Sequence, residues 1–362
     1  MHHVFFKKIE KYDINKIIDF LFFYISNQGI KSFKGNSVLI KPNFLKPSIP
    51  EKAIITHPEV IRAAVILFCE LGAKVIIGDS PGFGSIYKVI EKAGLSDFLK
   101  KHNTEVSDFS KTRKIKIDGY LFKEIDIPIE IIEASYVCNI AKLKTHQMMF
   151  LTMAVKNLYG CIYGLKKISY HLTAGRDYSL FATLLLDIYT AIKPKINILD
   201  AIIGMEGNGP SSGNPRNFGF VAIGSDALLL DMVVAKLLNV PVEKVPYLKI
   251  AKKLGLEESN LNEIMVRGMN EIVIEPGIKF PPNYATNFKL PKLVNDFINS
   301  FLISYPEVNS LCQSCGICEK HCPAGAINID KTAKIDKSKC IRCFCCQELC
   351  NYNAIKLKKR LF

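Results

Sequence analysis

Nine of the twelve cysteines in this 362-residue chain lie between positions 312 and 350, and only Cys69, Cys138 and Cys161 precede them. Their spacing constrains the fold more than any other feature. Cys312, Cys315, Cys318 and Cys322 stand in C-x2-C-x2-C-x3-C order with Pro323 behind them, and Cys340, Cys343, Cys346 and Cys350 repeat the order. Ala326-Ile327 and Ala354-Ile355 follow at matching offsets, so the segment is an internal duplication of about 28 residues. Three thiolates two residues apart wrap a tight loop around one face of an iron–sulfur cubane, and the fourth, carried onward by a short turn, ligates the other cluster. This rule assigns Cys312, Cys315, Cys318 and Cys350 to one [4Fe–4S] cluster, and Cys340, Cys343, Cys346 and Cys322 to a second. Zinc sites use four ligands in two pairs, and disulfides are disfavoured in a reducing compartment. Neither accounts for two runs of four.

The double run resembles the bacterial two-cluster ferredoxin module over roughly residues 307 to 358. Two departures stand out. Asn351 replaces the proline expected after the last cysteine, a loss that costs only stiffness in a turn. Cys345 is an extra thiol inside the second loop: either a spare or a competitor of Cys346, although only Cys346 keeps the repeat in register. Ahead of the cysteines, Pro276, Pro281, Pro282, Pro291 and Pro306 are scattered around a short helical pattern from Leu293 to Ile303. We therefore expect an α/β domain over 1–290 with its core at 35–240, a linker at 291–306, and a small α+β ferredoxin-like domain at 307–362.

With 49% hydrophobic and 23% charged residues the chain can bury one large core plus a small satellite. The apolar stretch from Ile17 to Ile25 is broken by Asp19 and falls short of the roughly 20 residues that span a bilayer. Lys7, Lys8, Glu10, Lys11 and Asp13 interrupt any signal-peptide pattern. The expectation is a cytoplasmic protein without a membrane segment. A formal charge of +14 invites a nucleic-acid reading. Two clusters with their thiolates, each carrying about −2, lower it to about +10, and the remainder is spread along the chain instead of gathered in an arginine stripe. No nucleic-acid partner is expected, and nothing in the sequence sets the oligomeric state.

Residues 37–41 (SVLIK) and 74–78 (KVIIG) read as buried strands flanking a helix at 58–71 that starts at Pro58, a right-handed βαβ unit. Residues 135–140, 196–199 and 218–223 are further strand candidates, with helical patterns at 178–192 and 226–238. A mostly parallel open sheet with helices on both faces follows. The five strands are succeeded by Lys41-Pro42-Asn43, by Gly78 to Gly84, by Lys142 to His146, by Asp200 with Gly204 to Pro210, and by Gly224-Ser225-Asp226. Ligands of open parallel sheets bind at the carboxyl ends of the strands, so these loops would converge.

Taken singly, each loop has a plain alternative. Gly78 to Gly84 suits an ordinary turn as well as a ligand loop. Asp226 suits a helix cap, and Asp231 a helix surface. His146, beside two lysines, has the better claim to function, and His171 a lesser one. Lys156-Asn157 falls in a helical pattern from Leu151 to Tyr159 and could be a solvated face. Four glycines among residues 204–214, including Gly207 and Gly209, give that segment the freedom of a binding loop. Cys69 and Cys138 read as core.

KPN at 41–43, THPEV at 56–60, GDSPGFG at 78–84, KLKTHQ at 142–147, AVKNLYG at 154–160 and DAIIGMEGNGP at 200–210 together resemble the domain of unknown function 362 family, over roughly residues 35 to 235. Members are often fused to a two-cluster ferredoxin module, as here. The resemblance implies the domain pairing and points to Asp79, Lys144, His146, Lys156, Asn157, Asp200 and Glu206 as site residues without implying a reaction.

Iron–sulfur cubanes are one-electron devices. Joined to a polar cleft, they lead us to expect a ferredoxin-dependent oxidoreductase that passes single electrons to an anionic substrate or cofactor. Lys41, Lys144 and Lys156 would neutralise the anion, with Asn43, Asn157, Gly207 and Gly209 binding beside them. Asp79, Asp200, Glu206 and His146 have the chemistry of a divalent metal site or of proton transfer. A redox partner protein or low-potential donor would supply the electrons. The alternatives are a non-catalytic electron-transfer or cluster-bearing partner subunit, and a domain of non-redox chemistry with structural clusters.

Overall fold

Aliphatic strand segments, several of them followed by a capped helix, build a sheet covered on both sides. The computed structural model describes residues 2–256, 264–281 and 304–359. Its strands are β1 (His2–Lys8), β2 (Ser37–Pro42), β3 (Lys74–Gly78), β4 (Glu105–Ser107), β5 (Thr112–Lys116), β6 (Glu124–Pro128), β7 (Tyr136–His146), β8 (Phe150–Thr152), β9 (Ile196–Glu206), β10 (Asn214–Gly224) and β11 (Ile264–Arg267). The cysteine-rich segment adds β12 (Ser304–Val308), β13 (Ile327–Ile329), β14 (Ala333–Ile335) and β15 (Ile355–Lys359). The central sheet runs β11-β1-β10-β9-β7-β2-β3-β4, with β8 folded back on β7. β4, β3, β2, β7 and β9 are parallel. β10 is antiparallel to both of its neighbours.

Successive strand residues point to opposite faces, and the core divides accordingly. Val38 and Ile40 join Ile61 and Phe68 of the helix Pro58–Glu70 and Leu21 and Tyr24 of the helix Ile14–Asn27. Leu39, Ala141 and Leu143 join Phe181 and Leu185 of the helix Tyr178–Ile192 and Leu230 and Val234 of the helix Ala227–Leu237. Asp13, Asp177 and Asp226 cap three of these helices through their carboxylates.

The expected strand and helix positions hold, with four differences. Lys142 to His146 continue β7 instead of forming a loop, because β8 pairs back with Lys144–His146 and Met205 of β9 pairs with Lys144. The antiparallel course of β10 carries Gly224-Ser225-Asp226 to the opposite edge of the sheet from the other four loops, where Asp226 is a helix cap. Asp231 is fully buried, not on a helix surface, and accepts from the Ala154 and Val155 amides and the Tyr247 hydroxyl. That cap starts a short helix at Ala154–Asn157, so the pattern at 151–159 is divided among β8, this helix and the 3-10 turn Leu158–Cys161. Most of the expected linker, with its helical pattern at 293–303, lies outside the described residues.

The buried carboxylate of Asp187 accepts the amides of Tyr120, Leu121 and Phe122 at 2.6 to 2.8 Å and fixes the turn ahead of β6. Asp187→Ala is expected to cost about 2–4 kcal/mol in a denaturant titration, because three amides lose a charged acceptor.

The cysteine-rich segment forms two hairpin-like pairs, β12 with β15 and β13 with β14, and two short helices, Ile317–Lys320 and Cys345–Leu349. Cys343 and Phe344 insert into the larger core.

Candidate functional site

From β2 the chain steps outward to β3 and β4, then crosses back to β7 on the other side of β2. The carboxyl ends of β2 and β7 are thus a topological switch point, where open sheets bind ligands. β2 delivers Lys41 and, one residue past its end, Asn43, and the turn after β3 delivers Asp79. β7 delivers Lys142, Lys144 and His146 at alternate positions, hence toward one face.

These side chains are engaged one by one. Lys41, 1% exposed, meets Asp79 at 2.9 Å and also donates to the Pro42 carbonyl. Asp79 Oδ2 accepts the Phe44 amide, while Oδ1 is buried without a partner. Gly160 lies so close that a Cβ there would stand 2.3 Å from that oxygen and 2.5 Å from Lys41 Nζ. Lys144 donates to Asn43 Oδ1 at 2.7 Å and to the Ile54 carbonyl at 2.8 Å. From Asn43 a relay of amides runs through Asn157 and Asn139 to Asn197, tying β2, β7 and β9 together. Lys142, Asp200 and Tyr12 form a separate buried triad, with Asp200 also accepting the His57 amide. Glu206 pairs with Arg216 and accepts the Lys279 amide. The carboxylates considered for a divalent metal are therefore held in three separate networks, and among the described residues of the sheet region no three His, Cys, Asp or Glu side chains converge on one point.

The cysteine-rich segment roofs this edge of the sheet. Arg176 donates to the Cys340 and Ser338 carbonyls, Tyr178 to Arg342, Lys46 to Cys350 and Ser211 to Glu348. Gln347 donates to the carbonyl of Asn208. The glycine-rich run at 204–214 thus seats the helix Cys345–Leu349. Gly207 accepts from the Thr145 hydroxyl, and a Cβ on Gly209 would collide with the Thr145 carbonyl at 2.0 Å. Both glycines support this junction.

Between roof and strand ends lies a cavity of about 340 Å³. Lys41, Asn43, Asp79, Lys156, Asn157 and Lys167 form its polar floor. Phe44, Leu45, Phe83, Ile168 and Leu349 form an apolar wall, and Cys345, Glu348 and His321 come from the roof. Lys156 has no hydrogen-bond or ion-pair partner among the described residues; it lies 5.7 Å from the Tyr159 ring. Lys167 donates to the Ser80 carbonyl. His171 stacks on Phe181 at 4.5 Å with Nδ1 buried and unpaired.

His146 Nδ1 accepts the Met148 and Met149 amides. Its proton therefore sits on Nε2, which faces Glu348 Oε1 at 3.1 Å. Burial pushes His146 down to about 4 and His171 to about 3, so both rings are neutral at pH 7. Burial opposes ionisation of Glu348 as well, but His146 and Lys156 outweigh it and hold the carboxyl down at about 2. Burial lowers Lys144 far below an ordinary lysine, lowers Lys156 and brings Lys167 to about 8.

The cysteines line two small pockets. Cys312, Cys315, Cys318 and Cys350 line one small pocket, and Cys322, Cys340, Cys343 and Cys346 line another. Backbone amides of Ala326 and Ala354 point at the fourth sulfur of each run, 3.2 and 3.3 Å from Cys322 and Cys350. Such N–H···S contacts stabilise ligated thiolates and tune cluster potential. Four soft sulfur donors line each pocket, the donor type that a cubane takes.

Of the residues singled out in the sequence, Lys41, Asn43, Asp79, Lys156 and Asn157 meet in the cavity wall. Lys144 and His146 lie immediately behind it, Asp200 is enclosed in the triad, and Glu206 sits in the β9–β10 ladder. Sequence reasoning missed Lys167, Glu348 and Lys142. The period-two run Lys142-Leu143-Lys144-Thr145-His146 carried a signal for Lys142, and an acid lodged between cluster cysteines carried one for Glu348. Lys167 had none.

Residues 306–328 match the 4Fe-4S binding domain, so this segment carries at least one such cluster. The chain is 33% identical over 276 residues to the thylakoid-associated protein sll1697 of Synechocystis, spanning 75% of this chain and 84% of that protein. Over 48 residues, 13% of this chain and 18% of the other, it is 46% identical to one of the subunits of the ion-translocating oxidoreductase complex of Methanosarcina acetivorans. Lactate racemase apoprotein from Thermoanaerobacterium thermosaccharolyticum is similar in structure over 64% of this chain and about half of that chain (52%), at a TM-score of 0.39 and 11% identity. No helix among the described residues is long and apolar enough to cross a membrane. Residues 38–236, more than half the chain, match the family described as domain of unknown function (DUF362), and the chain belongs to that family.

Proposed function

We propose that this protein is an iron–sulfur oxidoreductase in which two [4Fe–4S] clusters, held by the two cysteine quartets, serve an anionic substrate or cofactor in the roofed cavity. One observation carries the reading: the helix that supplies Cys346 to one quartet also lends Cys345, Glu348 and Leu349 to a cavity floored by lysines. The bound clusters supply one-electron transfer over a short distance to that cavity. A low-potential one-electron carrier protein is the source. Cys315, Leu311 and Tyr352 are exposed around the first quartet and give such a carrier a place to dock.

The chain's own residues then have distinct duties. Lys156 and Lys167 bind the anion, the asparagine relay fixes the strand ends, and the roof excludes water. Glu348 holds the proton of His146 Nε2 in place. Asp79 Oδ1 accepts a hydrogen bond from the bound molecule.

The test begins with native mass spectrometry of anaerobically purified protein, to identify any molecule retained in the cavity. Adding that molecule to dithionite-reduced protein is expected to restore the visible absorbance. Lys156→Met, with full iron content, is expected to slow this at least tenfold. An unchanged rate favours a non-catalytic electron-transfer subunit instead. The rate is also expected to fall as pH rises through about 8. Lys167 is protonated, and so attracts the anion, only below that value, set by its burial and by Asp79, Lys41, Cys161 and Lys156 around it.

A further inference from the structure

The charge and polarity of the cavity wall restrict what can occupy it. Three lysines, Lys41, Lys156 and Lys167, face two acids, Asp79 and Glu348, so basic side chains exceed acidic ones by one. Lys41 is already paired with Asp79, which leaves Lys156 and Lys167 for a ligand, with a cysteine quartet close behind Cys345. A diphosphate or triphosphate would bring two or more negative charges into a site that balances one, next to a quartet whose four thiolates add negative charge of their own. The remaining wall is apolar and partly aromatic: Phe44, Leu45, Phe83, Ile168 and Leu349. At about 340 Å³ the cavity is at the small end of the roughly 300–1,000 Å³ usual for ligand sites, which again disfavours a nucleotide or dinucleotide. A polar floor and an apolar wall in one enclosed space suit a molecule with a charged head and a flat hydrocarbon body.

We infer that the cavity takes a conjugated monocarboxylate, its carboxylate set between Lys156 and Lys167 and its planar body against Phe44, Phe83 and Leu349. This rests on the redox reading above for the word conjugated, since a π system is what accepts a single electron readily. The head-and-body division rests on the wall alone. His171 Nδ1, a lining atom buried without a partner, can donate a hydrogen bond to the head and so orient it, whereas Asp79 Oδ1 only accepts and keeps the carboxylate on the Lys156 and Lys167 side.

Isothermal titration of the anaerobic, oxidised full-length protein tests this without any electron moving. Cinnamate is the conjugated acid, cinnamamide its neutral isostere, acetate the head alone and ADP the polyanion. Cinnamate is expected to bind saturably at one per chain, cinnamamide at least tenfold more weakly, and acetate and ADP without saturation. Lys167→Met is expected to abolish the preference for the acid over the amide. Phe83→Ala is expected to weaken both alike, at least threefold. Equal binding of acid and amide by the wild-type protein, ADP binding as tightly as cinnamate, or no binding of cinnamate overturns the inference. The two readings fail separately. If cinnamate binds but the retained molecule never reoxidises reduced clusters, the redox reading falls and the head-and-body class stands. If reduced clusters are reoxidised by a molecule without a carboxylate, the class falls and the redox reading stands.

Discussion

Replacing Cys343 and Cys346 together by alanine is expected to lower the iron of anaerobically prepared protein from about eight atoms per chain to about four, whereas Cys345→Ala leaves it at the wild-type level. Cys343 and Cys346 line the same pocket as Cys322 and Cys340, and with two of four sulfurs removed no cubane can be held there. Cys345, one residue away on the same short helix, lines the lysine-floored cavity instead. The other quartet draws only Cys350 from this region, so it should keep its cluster. Iron and sulfide analysis with visible absorbance checks the result. Wild-type protein with only about four irons would remove the second cluster. Loss of four irons from Cys345→Ala would make that thiol a ligand and displace Cys346. The double replacement should also speed proteolysis of the roof, since Cys343 and Phe344 are what that segment inserts into the larger core.

The roof explains which parts of the site could be read from sequence and which could not. Cysteine spacing is a local property, fixed by the reach of two- and three-residue turns, and each pocket takes three cysteines from one run and the fourth from the other. Strands such as 74–78 and helices such as 178–192 were legible because burial imposes a period on the residues themselves. The polar edge was legible only in part. Lys142 to His146 looked like a loop because polar residues at alternate positions normally mark a solvent face, and here that face is covered by another part of the chain. The direction of β10 was not legible at all, since an apolar run carries no sign of parallel or antiparallel pairing, and so Asp226 was placed at the wrong edge. The 204–214 run was readable as polar and flexible, whereas Glu348 was missed. Their pairing with His146 and with the helix Cys345–Leu349 depends on contacts more than 130 residues apart in sequence, between Ser211 and Glu348 for example.

Lys41→Met is expected to destabilise the protein by about 3–5 kcal/mol, because it leaves the almost fully buried carboxyl of Asp79 without its cation. The same loss should appear, with the sign of the orphan reversed, in Asp79→Leu, which also strips the Phe44 amide of its acceptor. Lys41→Met combined with Asp79→Asn should recover to within about 1–2 kcal/mol of wild type, since the neutral amide keeps an oxygen for Phe44 and neither charge remains to be solvated. Denaturant midpoints measured on wild type, these three variants and the Asp79→Asn single replacement decide it. Additive losses would mean that the two groups do not interact, and an unchanged midpoint for Lys41→Met would mean that water reaches Asp79. Gly160→Ala supplies an independent check through geometry instead of charge. Its methyl would fall 2.3 Å from Asp79 Oδ1 and 2.5 Å from Lys41 Nζ, so the pair must separate or the turn must move. In either case the loss should shrink in the Lys41→Met, Asp79→Asn background, where the amide is free to turn away and no ion pair is there to break.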